Sequence, residues 1–464
     1  MLLVLFLLVF FFVLLPLIFH LRYPEIRWDW KKIDLKSIHF PKSFMWGTAT
    51  ASHQVEGNCI NNWSQFESGN KTTGEPNIKD SQISGNACEH WNRYPEDIEF
   101  IKNIGVRHYR FSLEWSKIEP QKGIYNQDAI NHYSDLIDKL ISKGITPVIT
   151  LHHFTHPIWF ENIGAFEKEE NIQYLLSFAE KVFSEYSDRV KYWCTINEPA
   201  VVATQGYFTG MFPPGKKNIK STCIVLKNLL EAHVQIYKKI KSMKNGDAAQ
   251  VGIVKNINHF DPWRRYSISD WLLTVFLNYI FNTSSIKFFK TGKFKILIPG
   301  FLCLSHKNMN ACTANDFFGL NYYSHNHIKF NIFNKDFFEL KFHSNDTMTD
   351  MPYTVYGEGI YRAIQEVSTL SIPIIITENG VADKDDKIRA EYIQKYLYAT
   401  MESIKDGYNV IGYFYWSLLD NFEWAFGYDM KFGLYSVDFS NQKRELRKGS
   451  EAFIEIVKKN EFSI

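Results

Sequence analysis

The sequence is poor in cysteine and shows no metal-binding spacing. Its 464 residues include 6 Cys and 15 His. No two Cys form a C-x-x-C pair, and no His cluster has the spacing of a metal site. No metal is therefore expected. An unpaired Cys packs as a small hydrophobic residue, so buried free thiols are predicted. The cysteines are Cys59, Cys88, Cys194, Cys223, Cys303 and Cys312.

Phosphate-binding motifs are missing as well. No G-x-G-x-x-G and no G-x-x-x-x-G-K-[ST] follows any apolar run, so a nucleotide-binding fold gains no support. The net charge of +2 provides no general attraction for nucleic acid, and no nucleic-acid partner is predicted. No cofactor is expected either, because no motif for one is present.

Apolar and aromatic residues are plentiful instead. Hydrophobic residues make up 45% of the chain, with 38 Phe, 25 Tyr and 12 Trp. A chain of this composition can bury a large core, and α/β barrels of this length often form one domain. The aromatic content is also compatible with a carbohydrate or another flat ligand.

The N-terminus opens with the apolar run MLLVLFLLVFFFVLLPLIF, which carries no charge through residue 19. This length suits a bilayer span. No basic residue precedes the run and no A-x-A site follows it. An uncleaved single-pass membrane anchor is therefore favoured over a cleaved signal peptide, which would lead to secretion. Residues 1–21 are assigned to the anchor, with residues 1–19 contacting the membrane, residues 22–39 to a juxtamembrane linker, and residues 40–464 to the main domain.

The side of the membrane stays open. Arg22, Arg27, Lys31 and Lys32 follow the run, and the positive-inside rule would then keep the rest of the chain cytoplasmic. Acidic residues are interleaved with these cations, so the orientation is only weakly indicated.

From residue 40 onward, strand-like runs alternate with amphipathic helical stretches. Ile130, Tyr133, Ile137 and Leu140, for example, recur at helical spacing. The alternation predicts an α/β fold, a single (β/α)8 TIM barrel with long βα loops, preceded by an N-terminal apolar helix. An open doubly wound sheet is the alternative. The predicted strands, rich in β-branched and aromatic residues, are 44–51, 107–113, 146–154, 190–196, 250–257, 316–324, 373–379 and 410–417.

Two long stretches fit neither a strand nor a simple helix. They are residues 261–310, which contain the basic and aromatic IKFFKTGKFKILIPG, and residues 325–352. Both follow predicted strands, where barrel enzymes carry the loops that shape their sites. We expect loops here, and the lysines at 287–295 are expected to form a solvated face.

The stretch RVKYWCTINEPAV, residues 189–201, ends an apolar run in an amide and a carboxylate. Asn197 and Glu198 stand at the strand end, and Pro199 stops the ladder because it has no N–H. A carboxylate at the mouth of a buried strand is costly unless it has a task or a partner. In a barrel, these strand ends converge on one mouth. The other residues at the ends include Gln54, Arg110, His153, Asn321, Tyr323, Glu378, Trp416, Glu423 and Trp424.

These residue types suit a sugar. Amides, His and carboxylates can bond neighbouring hydroxyls, and an aromatic face packs against the C–H side of a pyranose. Two carboxylates in separate environments, here Glu198 and Glu378, suit glycoside cleavage. One protonates the leaving oxygen while the other attacks or activates water.

Seven motifs carry a family resemblance over nearly all of the chain from about residue 40 to 455. They are FMWGTATASHQVEG, HYRFSLEWSKIEP, TLHHFTHPIWF, YWCTINEP, DFFGLNYYS, IIITENG and YWSLLDNFEWAFGYDMKFGLYSVD. With these motifs in this order, the chain resembles the family 1 glycoside hydrolases, the β-glucosidase family. TINEP or ITENG alone would be a weak signal, whereas all seven together are highly specific.

The resemblance implies roles for the residues around the cleaved bond. Glu198 would be the general acid and base, and Glu378 the nucleophile. Arg110 and Tyr323 would hold Glu378 ionised and oriented, and Asn197 would bond the sugar 2-hydroxyl. The reaction would be a retaining hydrolysis through a covalent glycosyl-enzyme, with the carboxyl groups about 5–5.5 Å apart.

The resemblance also implies a sugar-binding set. Trp416 would form a stacking platform, and Asn321 would be a supporting amide. The outer sugar hydroxyls would be bonded by Gln54, His153, Glu423 and Trp424. Members that act on 6-phosphosugars have a different residue at the position of Glu423. The negative charge of Glu423 would repel a phosphate. A plain terminal β-linked hexose, glucose above all, is therefore expected.

The chain departs from the family pattern at two places. Phe154 stands where the family usually has Trp, and IGAF replaces a common Gly-Gly-Trp. Both changes bear on glycone preference and neither touches the carboxylates. The sequence leaves two alternatives open. One is a transglycosidase with the same site, and the other is an inactive member acting as a binding module. The aglycone is not predicted, although an anchor makes a lipid glycoside plausible.

Overall fold

Parallel strands closed into a barrel form the centre of the molecule. The computed structural model describes residues 2–71, 73–298, 300, 302–334 and 337–461. The barrel strands are β1 (Met45–Ala49), β2 (His108–Ser112), β3 (Thr146–His152), β4 (Tyr192–Asn197), β5 (Gln250–Pro262), β8 (Phe318–Phe330), β10 (Ile374–Asn379) and β11 (Val410–Trp416). The other strands are β6 (Lys293–Ile298), β7 (Leu302–Lys307), β9 (Phe338–Lys341), β12 (Tyr435–Asp438) and β13 (Lys443–Leu446).

The ring is complete. The sheet order is β10-β11-β1-β2-β3-β4-β5-β8, and a further pairing of β10 with β8 closes it. Every neighbouring pair in the ring is parallel. The predicted TIM barrel is therefore confirmed, and each predicted strand overlaps a barrel strand. An open doubly wound sheet would have left two edges unpaired.

Helices surround the barrel. Those before β5 are α1 (Leu2–Val9), α2 (Leu15–Arg22), α3 (Ser52–Val55), α4 (Asn62–Glu67), α5 (His90–Ile104), α6 (Trp115–Ile118), α7 (Gln127–Ser142), α8 (Ile158–Asn162), α9 (Ile172–Tyr186), α10 (Pro199–Thr204) and α11 (Ile219–Lys241). Those after it are α12 (Ile268–Asn278), α13 (Ser284–Thr291), α14 (Glu358–Val367), α15 (Arg389–Lys405) and α16 (Glu451–Glu461).

Apolar periodicity explains how these helices pack. In α7, the predicted stripe at Ile130, Tyr133, Ile137 and Leu140 is buried against the barrel. Asn126 caps this helix, since its side chain accepts hydrogen bonds from the first free backbone N–H groups. A second apolar cluster fills the inside of the barrel, so the barrel is a packed core with its open end at the strand termini. The cluster contains Met45, Val148, Cys194, Val254, Phe317, Ile375 and Phe414.

The N-terminal segment forms the predicted apolar helix. Helices α1 and α2 join through a π-helical turn, Phe10–Leu14, into one 21-residue helix, within which an 18-residue stretch has a mean hydropathy of 3.3. It is long and apolar enough to cross a bilayer. The segment after it packs on the barrel, since Glu358 accepts hydrogen bonds from the backbone N–H of Trp28 at 2.7 Å and from the Trp30 indole at 3.0 Å. Met1 and residues 462–464, the ends of the predicted anchor and domain, lie outside the described residues.

Two expectations were wrong in part. The stretches 261–310 and 325–352 contain α12, α13, the β6–β7 hairpin, the extended end of β8 and β9. Helix α12 (ISDWLLTVFLN) escaped prediction because its pattern is the reverse of the usual one: Asp270 and Thr274 are buried, whereas Leu272 is exposed. Four cysteines are buried free thiols as expected, but Cys303 and Cys312 are exposed, because β7 and the turn after it lie at the surface.

Candidate active site

The end of β4 presents Glu198 through an unusual backbone conformation. Glu198 has φ 48° and ψ 62°, the left-handed region that non-glycine residues rarely adopt. Its backbone N–H donates to the Val254 carbonyl on β5 at 2.8 Å, which keeps it attached to the barrel. Pro199 then begins α10, where a missing N–H costs nothing. The Asn-Glu-Pro sequence thus turns the chain sharply and leaves the carboxylate at the mouth.

Glu378, near the end of β10, is held by two donors. The Arg110 guanidinium on β2 donates to one oxygen at 2.5 Å, and the Tyr323 hydroxyl on β8 donates to the other at 2.8 Å. Arg110 is fully buried. Both oxygens of Glu378 are therefore fixed by groups on strands other than its own, and one of these groups is a permanent positive charge.

Glu198 has a different environment. Asn321 on β8 donates to its carboxyl at 2.8 Å, and Asn321 pairs in register with Glu378. This one amide thus lies between the two acids. Burial, together with the negative charge of Glu378, raises the pKa of Glu198 to about 8. At neutral pH, Glu198 therefore carries a proton that it can donate.

Asn197 connects the two acids to His153. Its carbonyl oxygen accepts from Arg110 at 2.8 Å, and its amide donates to Nε2 of His153 at 3.1 Å. Burial, with the Arg110 charge nearby, holds the pKa of His153 well below its usual range, so the ring is neutral. Because Nε2 accepts, the ring proton sits on Nδ1, a buried atom that has no hydrogen-bond partner among the residues that the structure describes. His153 can thus donate to a ligand hydroxyl.

Glu423 and Gln54 form a second polar pair. Gln54 donates to Glu423 at 3.2 Å and to the carbonyl of Phe422 at 2.9 Å. The Gln54 carbonyl oxygen is buried without a partner. Burial raises the pKa of Glu423 to about 8, so its carboxyl can donate to a hydroxyl as well as accept from one.

Aromatic rings line the opposite side. Trp416 ends β11, and its ring lies 5.8 Å from that of His153 in a stacked arrangement. Trp424 also stacks on His153, with the ring centroids 6.1 Å apart. Phe154, in place of the usual Trp, packs on Trp424 with ring centroids 5.0 Å apart, so it fills space without offering an N–H.

One cavity of about 490 Å³ collects these groups. It is large enough for a hexose and part of an aglycone. The predicted site residues that line it are His153, Asn197, Glu198, Tyr323, Glu378, Trp416, Glu423 and Trp424. Arg110, Asn321 and Gln54 lie behind this lining and reach it through the hydrogen bonds described above.

The comparisons with known proteins agree with this geometry. The model of "Glycosyl hydrolase family 1" matches residues 36–462. The chain belongs to glycosyl hydrolase family 1. Its relatives include "Beta-glucosidase A" of Thermotoga maritima, 34% identical over 91% of this chain and 98% of that protein. "Beta-glucosidase A" of Acetivibrio thermocellus is 33% identical over 92% of this chain and 100% of that protein.

Solved structures show the same relation. The "beta-glycosidase from Pyrococcus horikoshii" superposes with a TM-score of 0.81 at 36% identity, covering 90% of this chain and 95% of that one. The family 1 β-glucosidase of Thermotoga maritima gives 0.82 at 32% identity, covering 92% and 99%. This family 1 protein is thus an enzyme of the class that hydrolyses O-glycosyl bonds.

Sequence reasoning about this family 1 enzyme missed part of the cavity wall. Phe212, Met351 and Tyr353 line the cavity, yet none of them ends a predicted strand. They lie in connecting segments, where no periodic pattern indicates which side chain turns inward. No motif in the sequence marked these three positions.

The described residues also bring together a His and carboxylate group outside the cleft. A nitrogen each of His325 and His327 and an oxygen of Glu25 lie within 4.8 Å of one another. Spacing could not reveal it, since Glu25 and His327 are 302 positions apart. Arg27 donates to Glu25 at 2.7 Å, and Arg265 lies 3.9 Å from it. These positive charges already pair the carboxylate, which favours an ion-pair network over a bound cation.

Proposed function

We propose that this enzyme is a retaining β-glycosidase of the β-glucosidase type, which removes a terminal β-linked hexose by way of a covalent glycosyl-enzyme. The observation that carries the proposal is the pair Glu198 and Glu378 on one cavity wall in opposed environments. Glu198 holds a proton at neutral pH, whereas Glu378 faces the Arg110 guanidinium. Such a pair divides acid and nucleophile between two identical residue types.

In the first step, a Glu378 oxygen forms a bond to the anomeric carbon as the bond to the aglycone oxygen breaks. The electron pair of the broken bond stays on that oxygen, which takes the proton of Glu198. In the second step, water attacks the anomeric carbon, Glu198 accepts the water proton, and Glu378 leaves as a carboxylate. Two displacements at one carbon return the β configuration.

The surrounding residues position the sugar in this proposal. Asn197, fixed by Arg110 and His153, presents its amide to the 2-hydroxyl. Trp416 supplies the stacking face. Asn321 orients the Glu198 carboxyl. The outer hydroxyls are bonded by Gln54, His153, Glu423 and Trp424. Among these, the Gln54 carbonyl oxygen offers an acceptor and Nδ1 of His153 offers a donor.

A chromogenic aryl β-glucoside tests the proposal. We expect hydrolysis by the wild type, and a loss of about 10⁴-fold or more in Glu378→Ala, because no other group can form the covalent intermediate. Glu198→Ala should keep a residual rate that added azide increases, since the small anion can attack in place of base-activated water. Equal background rates in the wild type and Glu378→Ala would instead favour an inactive binding module.

A transglycosidase remains the second candidate, because part of the cavity wall is apolar and could hold an apolar acceptor. Phe208, Phe281 and Leu340 are among its lining residues. Adding an acceptor alcohol and analysing the products decides between the two. A glycosylated alcohol formed in preference to free sugar, at low alcohol concentration, would make transfer the main reaction.

The N-terminal helix is proposed to be an uncleaved anchor over residues 1–21, followed by the linker 22–39 and the catalytic domain 40–464. Its length and hydropathy support this assignment. The full chain should stay with membranes in alkaline carbonate, and mass spectrometry should find the apolar N-terminus intact. A mature N-terminus after residue 19, with the protein in the soluble fraction, would show a cleaved signal instead.

A further inference from the structure

Helix α12 buries the polar side chains of Asp270 and Thr274 and leaves several of its apolar side chains partly exposed. Leu272 is 54% exposed, and Leu273, Val275 and Phe276 are each partly exposed. A helix with this composition is normally covered, either by protein or by lipid. In this molecule, α12 lies at the surface.

The N-terminal helix, the proposed anchor, ends next to α12. The ring of Phe19 packs on that of Trp271 at 5.6 Å, and the ring of Tyr23 lies 6.3 Å from it. Arg265 fixes the junction, donating to His20 at 2.8 Å and to the Tyr23 carbonyl at 2.7 Å. The apolar surface of α12 therefore lies beside the end of the proposed anchor.

The hairpin of β8 and β9 adds to this surface. Phe333 is 95% exposed and Ile332 is 63% exposed, which is unusual for large apolar side chains that lie side by side. The hairpin is attached to α12, because Asp270 accepts a hydrogen bond from the Phe330 backbone N–H at 3.0 Å. We call the exposed side chains of Leu272 on α12 and of Ile332 and Phe333 on the β8–β9 hairpin the apolar face.

The same two elements line the aglycone side of the active-site cavity. Leu277 of α12, together with Phe338 and Leu340 of β9, faces into it. Leu340 is also 46% exposed, so this part of the wall reaches the surface. The polar groups nearby are partly occupied with one another, since Asn258 accepts from Ser324 at 2.7 Å and from Asn326 at 2.9 Å.

A second cavity of about 640 Å³ lies on the anchor side of α12. Phe260 of β5 lines both cavities, so the two cavities have part of a wall in common. Arg22, Lys287 and Lys290 are among the lining residues of the second cavity. Positively charged side chains next to the end of the proposed anchor suit the phosphates of a lipid surface.

We infer that the substrate is a membrane-resident glycolipid, a β-glycoside whose aglycone is a long hydrophobic group. The apolar face rests on the bilayer beside the anchor, and the apolar wall of the cavity receives the aglycone as the sugar moves up to Glu198 and Glu378. This inference rests on the proposed function, because it names the substrate of the same site.

The test uses the full-length protein reconstituted in phosphatidylcholine vesicles. One substrate is a hexadecyl β-glucoside within the vesicles, and the other is a soluble nitrophenyl β-glucoside in the surrounding buffer. The variants are Leu272→Glu and Phe333→Glu, which place a charge on the apolar face but do not line the active-site cavity. Ile124→Glu is the matched control, since Ile124 is 58% exposed on another part of the surface.

We expect the wild type to prefer the vesicle-borne substrate by kcat/KM. The two face variants should lower hydrolysis of that substrate by about fivefold or more, because each removes the burial of one large side chain in lipid. They should leave the soluble substrate unchanged, and Ile124→Glu should affect neither.

Failures of the two proposals can be told apart. Normal hydrolysis of the soluble glucoside with a slower rate on the vesicle-borne one overturns the glycolipid inference alone. No hydrolysis of either substrate overturns both. Equal losses on both substrates in the face variants also contradict the inference. So does a wild-type dimer that the face variants dissociate while both hydrolysis rates stay unchanged. The face would then serve packing or contact between copies of the chain.

Discussion

Three glutamates share one cavity, and their neighbours give each a different property. Glu378 meets a guanidinium, Glu198 meets an amide, and Glu423 meets Gln54. Burial raises the pKa of Glu198 and of Glu423 to about 8. Chemically identical side chains can therefore serve as nucleophile, acid and sugar ligand, because the surrounding donors differ.

The hydroxyl of Tyr323 should contribute to catalysis, whereas the hydroxyl of its neighbour Tyr322 should not. Tyr323→Phe removes the hydrogen bond to Glu378, and a bond to a charged group contributes about 1.5–3 kcal/mol. We expect kcat/KM on an aryl β-glucoside to fall by roughly 10- to 100-fold. Tyr322→Phe is the control, because the Tyr322 hydroxyl is buried without a partner. An equal loss in both variants would contradict the role of the hydrogen bond.

The activity should fall on the alkaline side as Glu198 loses its proton. Below about pH 8 the carboxyl is protonated and can donate to the leaving oxygen. Above that pH it is ionised and cannot. A profile of kcat/KM against pH should show this limb near 8 for a substrate with a poor leaving group. The profile of Glu198→Gln, assayed with an activated dinitrophenyl glucoside, should lack this alkaline limb. A limb that persists in Glu198→Gln would assign it to another group.

The same proton should make stability depend on pH. The pKa of Glu198 rises from its ordinary 4.5 to about 8 in the folded protein. The folded state thus holds a proton that the unfolded state has released. The contribution is fully present below about pH 4.5 and is lost as the pH rises through about 8. We expect the Tm of Glu198→Gln, relative to the Tm of the wild type, to be higher at pH 8 than at pH 5. A constant difference would refute this linkage.

At the scale of elements, the strands could be predicted well and the segments between them only in part. The strand at Tyr192–Asn197 ends within a residue of its prediction, because an apolar β-branched run with a proline behind it has few other conformations. Asn197 and Glu198 could be recognised for the same reason. Helix α12 was missed because its polar residues Asp270 and Thr274 are the buried ones, and β9 was missed because four alternating residues, FELK, are too few to indicate a strand.

The contact between the ends of β10 and β11 explains why Gly380 follows the Thr-Glu-Asn stretch. A Cβ on Gly380 would lie 1.7 Å from the Trp416 carbonyl oxygen. Gly380→Ala must therefore push the two strand ends apart, which displaces Glu378 relative to Trp416. We expect kcat/KM to fall by about 100-fold, as for a displacement of about 1 Å in an active site.

Gly123→Ala provides the control for that variant. Gly123 has a φ of 75° and open space around its Cβ position. Alanine there should cost about 1 kcal/mol of stability for the left-handed conformation and leave kcat/KM unchanged. Wild-type kinetics in Gly380→Ala would show that the strand ends can separate without disturbing the site.

At the scale of the whole molecule, the barrel makes one site from residues far apart in the chain. Arg110, Asn321 and Glu378 come from β2, β8 and β10, and the closing pair of β8 with β10 sets Asn321 beside Glu378. Helix α12 links the N-terminal helix to this site, because Trp271 packs on Phe19 and Leu277 lines the cavity. Neither the second cavity nor the ion-pair network at Glu25 could be predicted from spacing.

The measurement that most directly tests the central claim is identification of the covalent intermediate. A dinitrophenyl β-glucoside with fluorine in place of the 2-hydroxyl forms the glycosyl-enzyme quickly and releases it slowly. After proteolysis, mass spectrometry should find one sugar on the peptide containing Glu378 in the wild type and none in Glu378→Gln. A sugar attached to any other residue in an active enzyme, or a product of inverted configuration, would contradict the account.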